Sequence, residues 1–193
     1  MKKLVMLLAT ALLVFGLSGT SMAVVFNGSD YQIVNGAITW TNAKTAAEAL
    51  GAGWHLVTIT SQAEQDFIAD TLLQGLEGQG QYWAGASQTP GLAQGGLGWN
   101  WVTGEAWGYT SWAPGSAIQP ISEPNDYGGA DEIYLALDGR WVRNWTWNDG
   151  LTTEGILGYV AEGPAPVPEP GTMMLLGSGL VGLAGYGRRR MKK

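Results

Sequence analysis

The chain has 193 residues, a net charge of −6 at pH 7, 10 tryptophans and no cysteine. Residues 24–163 carry 15 acidic side chains against Lys44, Arg140 and Arg143, a net of −12, while the other seven basic residues and Glu169 sit at the two ends. So acidic a central region argues against nucleic acid as a partner and suits cations, and without cysteine no disulfide supports the fold.

In chain order, Lys2 and Lys3 precede an apolar run from Leu4 to Leu17 and small residues ending at Ala23. This is the pattern of a secretory signal peptide, residues 1–23, cut after Ala23, and its apolar core is short for a membrane span. Residues 24–163 are one domain's worth of chain, enough to bury a core. Tyr31 to Ile38 reads as strand. In "TWTNAKTAAEALGAG", Trp40, Ala43, Ala47 and Leu50 recur at helical spacing before Gly51 and Gly53 stop the pattern. "HLVTIT", His55 to Thr60, alternates like a β segment, and Ser61-Gln62-Ala63-Glu64 is a capping box opening a second helix with Phe67, Ile68 and Leu72. After Gly75 short apolar pieces alternate with glycine, which predicts short strands and long loops, and helices early with strands late is an α+β order. Eight of the ten tryptophans follow residue 80, with no fixed-period repeat, and this density favours core and loop packing over a ligand platform.

Residues 164–193 hold a proline-rich spacer, the apolar run "TMMLLGSGLVGLAGYG" and the basic end Arg188, Arg189, Arg190, Lys192 and Lys193. At about 1.5 Å per helical residue the apolar run covers roughly 24 Å, marginal for a bilayer, and the basic cluster would stay cytoplasmic. With Val167-Pro168-Glu169-Pro170 ahead of the short hydrophobic helix, this tail resembles the PEP-CTERM sorting signal of Gram-negative bacteria. The resemblance implies transient anchoring in the inner membrane, cleavage by an exosortase-type protease, and release to the cell surface or an exopolysaccharide matrix.

"SEPNDYGGADE", Ser122 to Glu132, gathers Glu123, Asn125, Asp126, Asp131 and Glu132 around one proline and two glycines. Calcium takes about 6 to 8 oxygen ligands from carboxylates, amide carbonyls and backbone, and this stretch offers that mixture. Pro, Asn, Asp and Gly are also what surface turns are made of, and "NDG" at Asn148 to Gly150 is an ordinary tight-turn signal.

The order of "ITWTNAKTAAEALGAGWHLVTITSQAEQDFI", "YWAGAS", "GWNWVTGEAWGYTSWAPG", "EPNDYGGADE", "WND" and "GYVAE" resembles the C-type lectin-like domain over Val24 to Glu162. The resemblance implies an α+β fold of two helices, short antiparallel strands and long loops. Two family disulfides would fall on Ala47 with Ala161 and on Ile133 with Thr152, pairs whose small or apolar residues fit packed contacts. For His55, the single histidine, the resemblance implies a structural position. The resemblance implies a calcium site made by Glu123, Asn125, Asp131, Asn148 and Asp149, with a cis peptide before Pro124. The ion there keeps two coordination positions for neighbouring sugar hydroxyls, and the "EPN" pairing implies the mannose, glucose or fucose type. Glu132 stays open as an alternative to Asp131, and Asp126 with Glu132 as holders of a second calcium. "SAIQPIS" and "RWVRNW" lengthen the approaches to Glu123 and Asn148.

Glu123 with Asp131 is a carboxylate pair of the kind that hydrolyses glycosidic bonds, but no nucleophilic constellation accompanies it. Enzymes sharing this broad fold rely on cysteines or metal-binding histidines absent here, so no catalytic residue and no enzyme activity are expected. The expected function is a secreted, calcium-dependent carbohydrate-binding protein of the envelope or matrix. Its alternative is a calcium-independent scaffold for protein or matrix contacts, with residues 91–122 as the contact surface.

Overall fold

The strand β1 (Val24–Phe26) turns back into β2 (Ser29–Asn35), and the computed structural model then runs through α1 (Trp40–Glu48), β3 (His55–Leu56) and α2 (Gln62–Phe67). The later elements are β4 (Gln81–Gln88), β5 (Trp99–Trp101), β6 (Tyr134–Asp138), β7 (Thr146–Gly150) and β8 (Ile156–Pro164). The structure describes residues 24–92, 97–115, 120, 122–140, 144–167 and 177–180. The expected signal peptide, Pro168 to Pro170 and most of the apolar run after them lie outside the described residues; 177–180 are helical. No helix among the described residues is long and apolar enough to cross a membrane.

All eight strands join one sheet in the order β1-β2-β8-β4-β6-β7, with β3 added on β8 and β5 on β4. The expectation of short antiparallel strands needs correction in two respects. β8 has nine residues, and it pairs parallel to β4 while running antiparallel to β2 and β3. A parallel pair needs a long crossover rather than a hairpin, and here the whole segment from β4 to β7 supplies it. Because β2 pairs with β8 from Ser29 with Pro164 to Asn35 with Gly158, the two ends of the domain lie side by side.

Helix α1 begins where Thr39 Oγ1 accepts from the Asn42 N–H, and it buries Trp40, Ala43 and Ala47. Leu50 is exposed because the helix ends at Glu48, before the next turn of the predicted stripe. At α2 the serine half of the capping box forms, Ser61 Oγ accepting from the Glu64 N–H at 3.2 Å, while Glu64 Oε2 reaches one residue past the cap and accepts from the Thr60 N–H at 2.9 Å. A π-helical turn, Ile68–Leu72, continues it.

The predicted strand His55–Thr60 shrinks to two ladder residues, although Val57, Thr58 and Ile59 are buried. The segment bonds singly on each side, Val57 N–H to Val160 O and Gly85 N–H to Val57 O. At this crossing a Cβ on Gly85 would stand 2.4 Å from Leu56 O, so β4 approaches only because residue 85 has no side chain. His55 donates from Nδ1 to Leu56 O at 2.9 Å.

Two apolar clusters fill the fold. One joins Trp40, Ala43, Leu56 and Trp83 to Ala47 and Ala161, the positions that a family disulfide would occupy. Both alanines are fully buried, so packing stands where the resemblance would put a bridge. The other cluster packs Ile59, Ile68, Leu73 and Leu137 beneath Trp99, Trp101, Trp145 and Trp147. Trp147 meets Trp101, Trp107 and Trp112 at ring separations of 5.6–5.7 Å, which agrees with tryptophan as packing material. Outside this cluster the loop after β5 is tied down by Glu105, which accepts from Thr58 Oγ1 at 2.7 Å and from Thr103 Oγ1 at 2.8 Å.

Candidate functional site

The site is built on β7. Trp147 turns into the core, and the two residues after it, Asn148 and Asp149, are buried and paired across to Ala136 and Leu135 of β6. "NDG", which as sequence also fits a turn, is therefore strand.

Asp149 anchors the loop 122–132 over this strand. Its Oδ2 accepts the backbone N–H of both Asn125, at 2.9 Å, and Asp126, at 3.0 Å. The Glu123–Pro124 peptide is cis, and Glu123 N–H donates to Ala113 O at 2.9 Å. Asp126 adopts a left-handed backbone (φ 47°), which aspartate tolerates, and its Oδ1 accepts from the Glu132 N–H at 3.0 Å. Glu132 Oε2 in turn accepts from the Tyr127 N–H at 2.7 Å. The acidic side chains thus take the N–H groups that a loop without ladder partners leaves open.

Two amides complete the set: Asn125 Nδ2 donates to Glu123 Oε2, and Asn148 Nδ2 donates to the Asp149 carbonyl. Glu123, Asn125, Glu132 and Asn148 line one cavity of about 270 Å³, with Asp149 as the anchor of its loop. Asp131 is exposed and does not line it; its Oδ2 accepts from the Gly91 N–H at 2.9 Å and so holds the turn after β4. Of the adjacent acidic pair, Glu132 is the one on the cavity wall. The wall also holds residues that no motif singles out, Gln81, Tyr127, Arg140 and Glu154. Arg140 was legible only as one of three cations in an acidic domain; Gln81 carries no local signal at all.

Burial is the main influence on the acids here. It pushes the Glu132 carboxyl up to about 7, and the charges of Asp149, Glu123 and Asp126 add to it against the opposing Tyr127 N–H. Asp149 is also raised, chiefly by burial, although the N–H groups of Asp126 and Asn125 oppose the rise. The sign of the stability effect follows. Between the ordinary value of 4.5 and about 7, folded Glu132 holds a proton that the unfolded chain has lost, so stability falls as pH rises through that window. In chelator, thermal melts at pH 5 and pH 8 should therefore favour the acid side, and Glu132→Gln should flatten the difference; an unchanged difference in the variant would contradict this assignment.

Among the described residues no three acidic or histidine side chains form a metal centre by themselves. The donors at this cavity are instead mixed, two carboxylates and two carboxamides on β7 and its covering loop, which is a set hard cations accept. Asp149 Oδ1 is buried and receives no hydrogen bond among the described residues, an orphan acceptor of the kind a cation satisfies.

The fold has known counterparts. The structure of the C-type lectin CEL-I from Cucumaria echinata matches with a TM-score of 0.58 at 23% identity, covering 74% of this chain and 94% of that one. The domain has the C-type lectin-like fold. The C-type carbohydrate-recognition domain of cow CD23, determined in the presence of a GlcNAc2Man3 oligosaccharide, is 27% identical with a TM-score of 0.55, covering 74% and 92%. Lithostathine from Bos taurus is 28% identical over 109 residues, 56% of this chain and 61% of that protein, so the chain spans about three fifths of that relative's length. Residues 166–190 match the PEP-CTERM protein-sorting motif. A C-type lectin-like fold is thus joined to a sorting motif.

Proposed function

We propose that this protein is a calcium-dependent carbohydrate-binding module delivered to the bacterial cell surface or its extracellular matrix. In this account residues 1–23 direct export, 24–163 form the binding domain, and 164–193 hold the protein at the inner membrane until an exosortase-type protease cuts near the motif. The observation that carries the binding function is the shared cavity of Glu123, Asn125 and Asn148, with the buried orphan Oδ1 of Asp149 beside it.

Glu123, Asn125, Asn148 and Asp149 would hold the calcium, with Glu132 rather than Asp131 as the further acid on the wall. A bound calcium supplies open coordination positions for two neighbouring sugar hydroxyls. Around it, the carboxylates accept hydrogen bonds from those hydroxyls and the asparagine amides donate to them. The presence of an oligosaccharide with the CD23 domain supports a carbohydrate as the ligand class. Mannose, glucose and fucose remain the sugars that the Glu123 and Asn125 pairing favours.

One observation favours a calcium-independent scaffold: the site amides already engage their neighbours, Asn125 with Glu123 and Asn148 with Asp149. Retention on immobilised mannose in calcium and in chelator separates the two functions. Retention in calcium that is lost in chelator supports the calcium-dependent lectin; a partner bound equally in both supports the scaffold.

A further inference from the structure

At the end of β8 away from the cavity lies a buried carboxylate that the binding function does not use. Asp30 of β2 pairs with Gly163, whereas the β8 residue on the cavity wall is Ile156. Asp30 is 5% exposed, and its Oδ1 is buried and receives no hydrogen bond among the described residues. A carboxylate held in this way costs stability until a donor or a positive charge reaches it.

The register of the sheet shows what surrounds it. Val25 of β1 and Gly163 of β8 are the ladder partners of Asp30, so the three positions share one face. The ring of Trp54 lies over Gly163, where a Cβ would stand 2.3 Å from Trp54 Cδ2, and closes that side. Tyr31, Glu162 and His55 form the adjacent row and face the other way. Lys44 and Arg140 are engaged elsewhere, with Glu48 and Asp138. One further positive group can arise close by in the ladder. Val24 is the partner of Tyr31, the residue after Asp30, and it is the first residue left when the expected signal peptide is cut after Ala23.

We propose that signal-peptide removal creates the partner of Asp30: the new α-ammonium of Val24 pairs with this carboxylate and locks the β1–β2 hairpin to the finished domain. Hydrolysis of the Ala23–Val24 bond puts the water's hydroxyl on the Ala23 carbonyl carbon and its hydrogen on the Val24 nitrogen. At pH 7, below the usual range of about 7.7–8.0 for an α-amine, that nitrogen takes a further proton and becomes positive. Before the cut it is a peptide nitrogen without charge. Val24 stands one strand step, about 3.4 Å of rise, from the pair that holds Asp30, and an opposite charge acts on a carboxylate over roughly 4–6 Å. Because β2 is laddered to β8 from Ser29 with Pro164 to Asn35 with Gly158, the lock braces the strand that leads into the sorting motif. This assignment rests on the export step of the function proposed above and is independent of the sugar site.

The test begins with N-terminal sequencing of the exported protein, which should start at Val24. Thermal melts at pH 7 then compare the whole chain starting at Val24 with the same chain keeping Ser21, Met22 and Ala23 ahead of it, both released from a cleavable fusion so that only the start differs. The Val24 form should melt about 3–6 °C higher. Asp30→Asn separates a lock from a merely structural role. It should lower the Val24 form to the level of the extended form, because it removes the partner of the ammonium, and leave the extended form unchanged or slightly raised, because there it removes an uncompensated buried charge. Equal melts of the two wild-type forms, or an Asp30→Asn effect of the same size and sign in both, would overturn the lock alone. An exported protein that starts elsewhere would overturn the cut after Ala23 and the lock with it, and would leave the carbohydrate-binding function standing.

Discussion

Trp147→Ala should lower stability by about 3–5 kcal/mol, the range for removing a large buried aromatic side chain, which for a domain of this size is roughly 10–20 °C in melting temperature. The residue is fully buried, and its ring touches Trp101, Trp107, Tyr109 and Trp112. Its Nε1 also donates to Gln65 Oε1 at 2.8 Å, so the substitution leaves a buried acceptor of α2 without that donor. Trp147 further fixes β7 against residues 111–113: its N–H donates to Ser111 O, and its carbonyl accepts from the Ala113 N–H. Without disulfides nothing covalent compensates. A thermal melt measures the loss, and a shift of only a few degrees would mean that the tryptophan cluster is not the main support of this half of the domain.

The double substitution of Asn125 and Asp149 by alanine should reduce retention on immobilised sugar at least about a hundredfold, which is about 2.7 kcal/mol. Asn125 would lose both its carboxamide oxygen and the amide that meets Glu123. Asp149 would lose the carboxylate whose Oδ2 receives two loop N–H groups and whose Oδ1 is the orphan acceptor. The loop would also lose its anchor, so a melt must accompany the binding assay. Asp149→Asn with Asn125→Ala is the companion variant, because its side-chain oxygen keeps an acceptor for the loop N–H groups while removing the charge. Sugar retention unchanged by either double variant would rule out this cavity as the binding site.

Local chemistry explains what was legible in the sequence. The capping box at Ser61 and Glu64 and the α1 stripe of Trp40, Ala43 and Ala47 depend on contacts three and four residues apart, so their spacing shows directly. The six pieces in family order brought the fold within reach even without cysteines, because Ala47 and Ala161 pack where a bridge would lie. What the spacing did not carry was pairing at a distance. The parallel contact of β4 with β8 joins residues more than seventy positions apart, Gln81 with Ile156. The same distance hides Gln81 and Arg140 from any motif, although both line the cavity. That Glu132 lines the cavity and Asp131 does not also needed three dimensions, since Asp131 is engaged by the N–H of Gly91, forty residues away.

In the proposed function, calcium binds among Glu123, Asn125, Asn148 and Asp149. The most direct test is the thermal melt of the protein with millimolar calcium and again with excess chelator. An ion that binds only the native state, at about 100 times its dissociation constant, adds roughly 2.7 kcal/mol and raises the melt by several degrees. The rise should vanish in the Asn125→Ala, Asp149→Ala double variant. Identical melts of the wild-type protein with calcium and with chelator would contradict the claim.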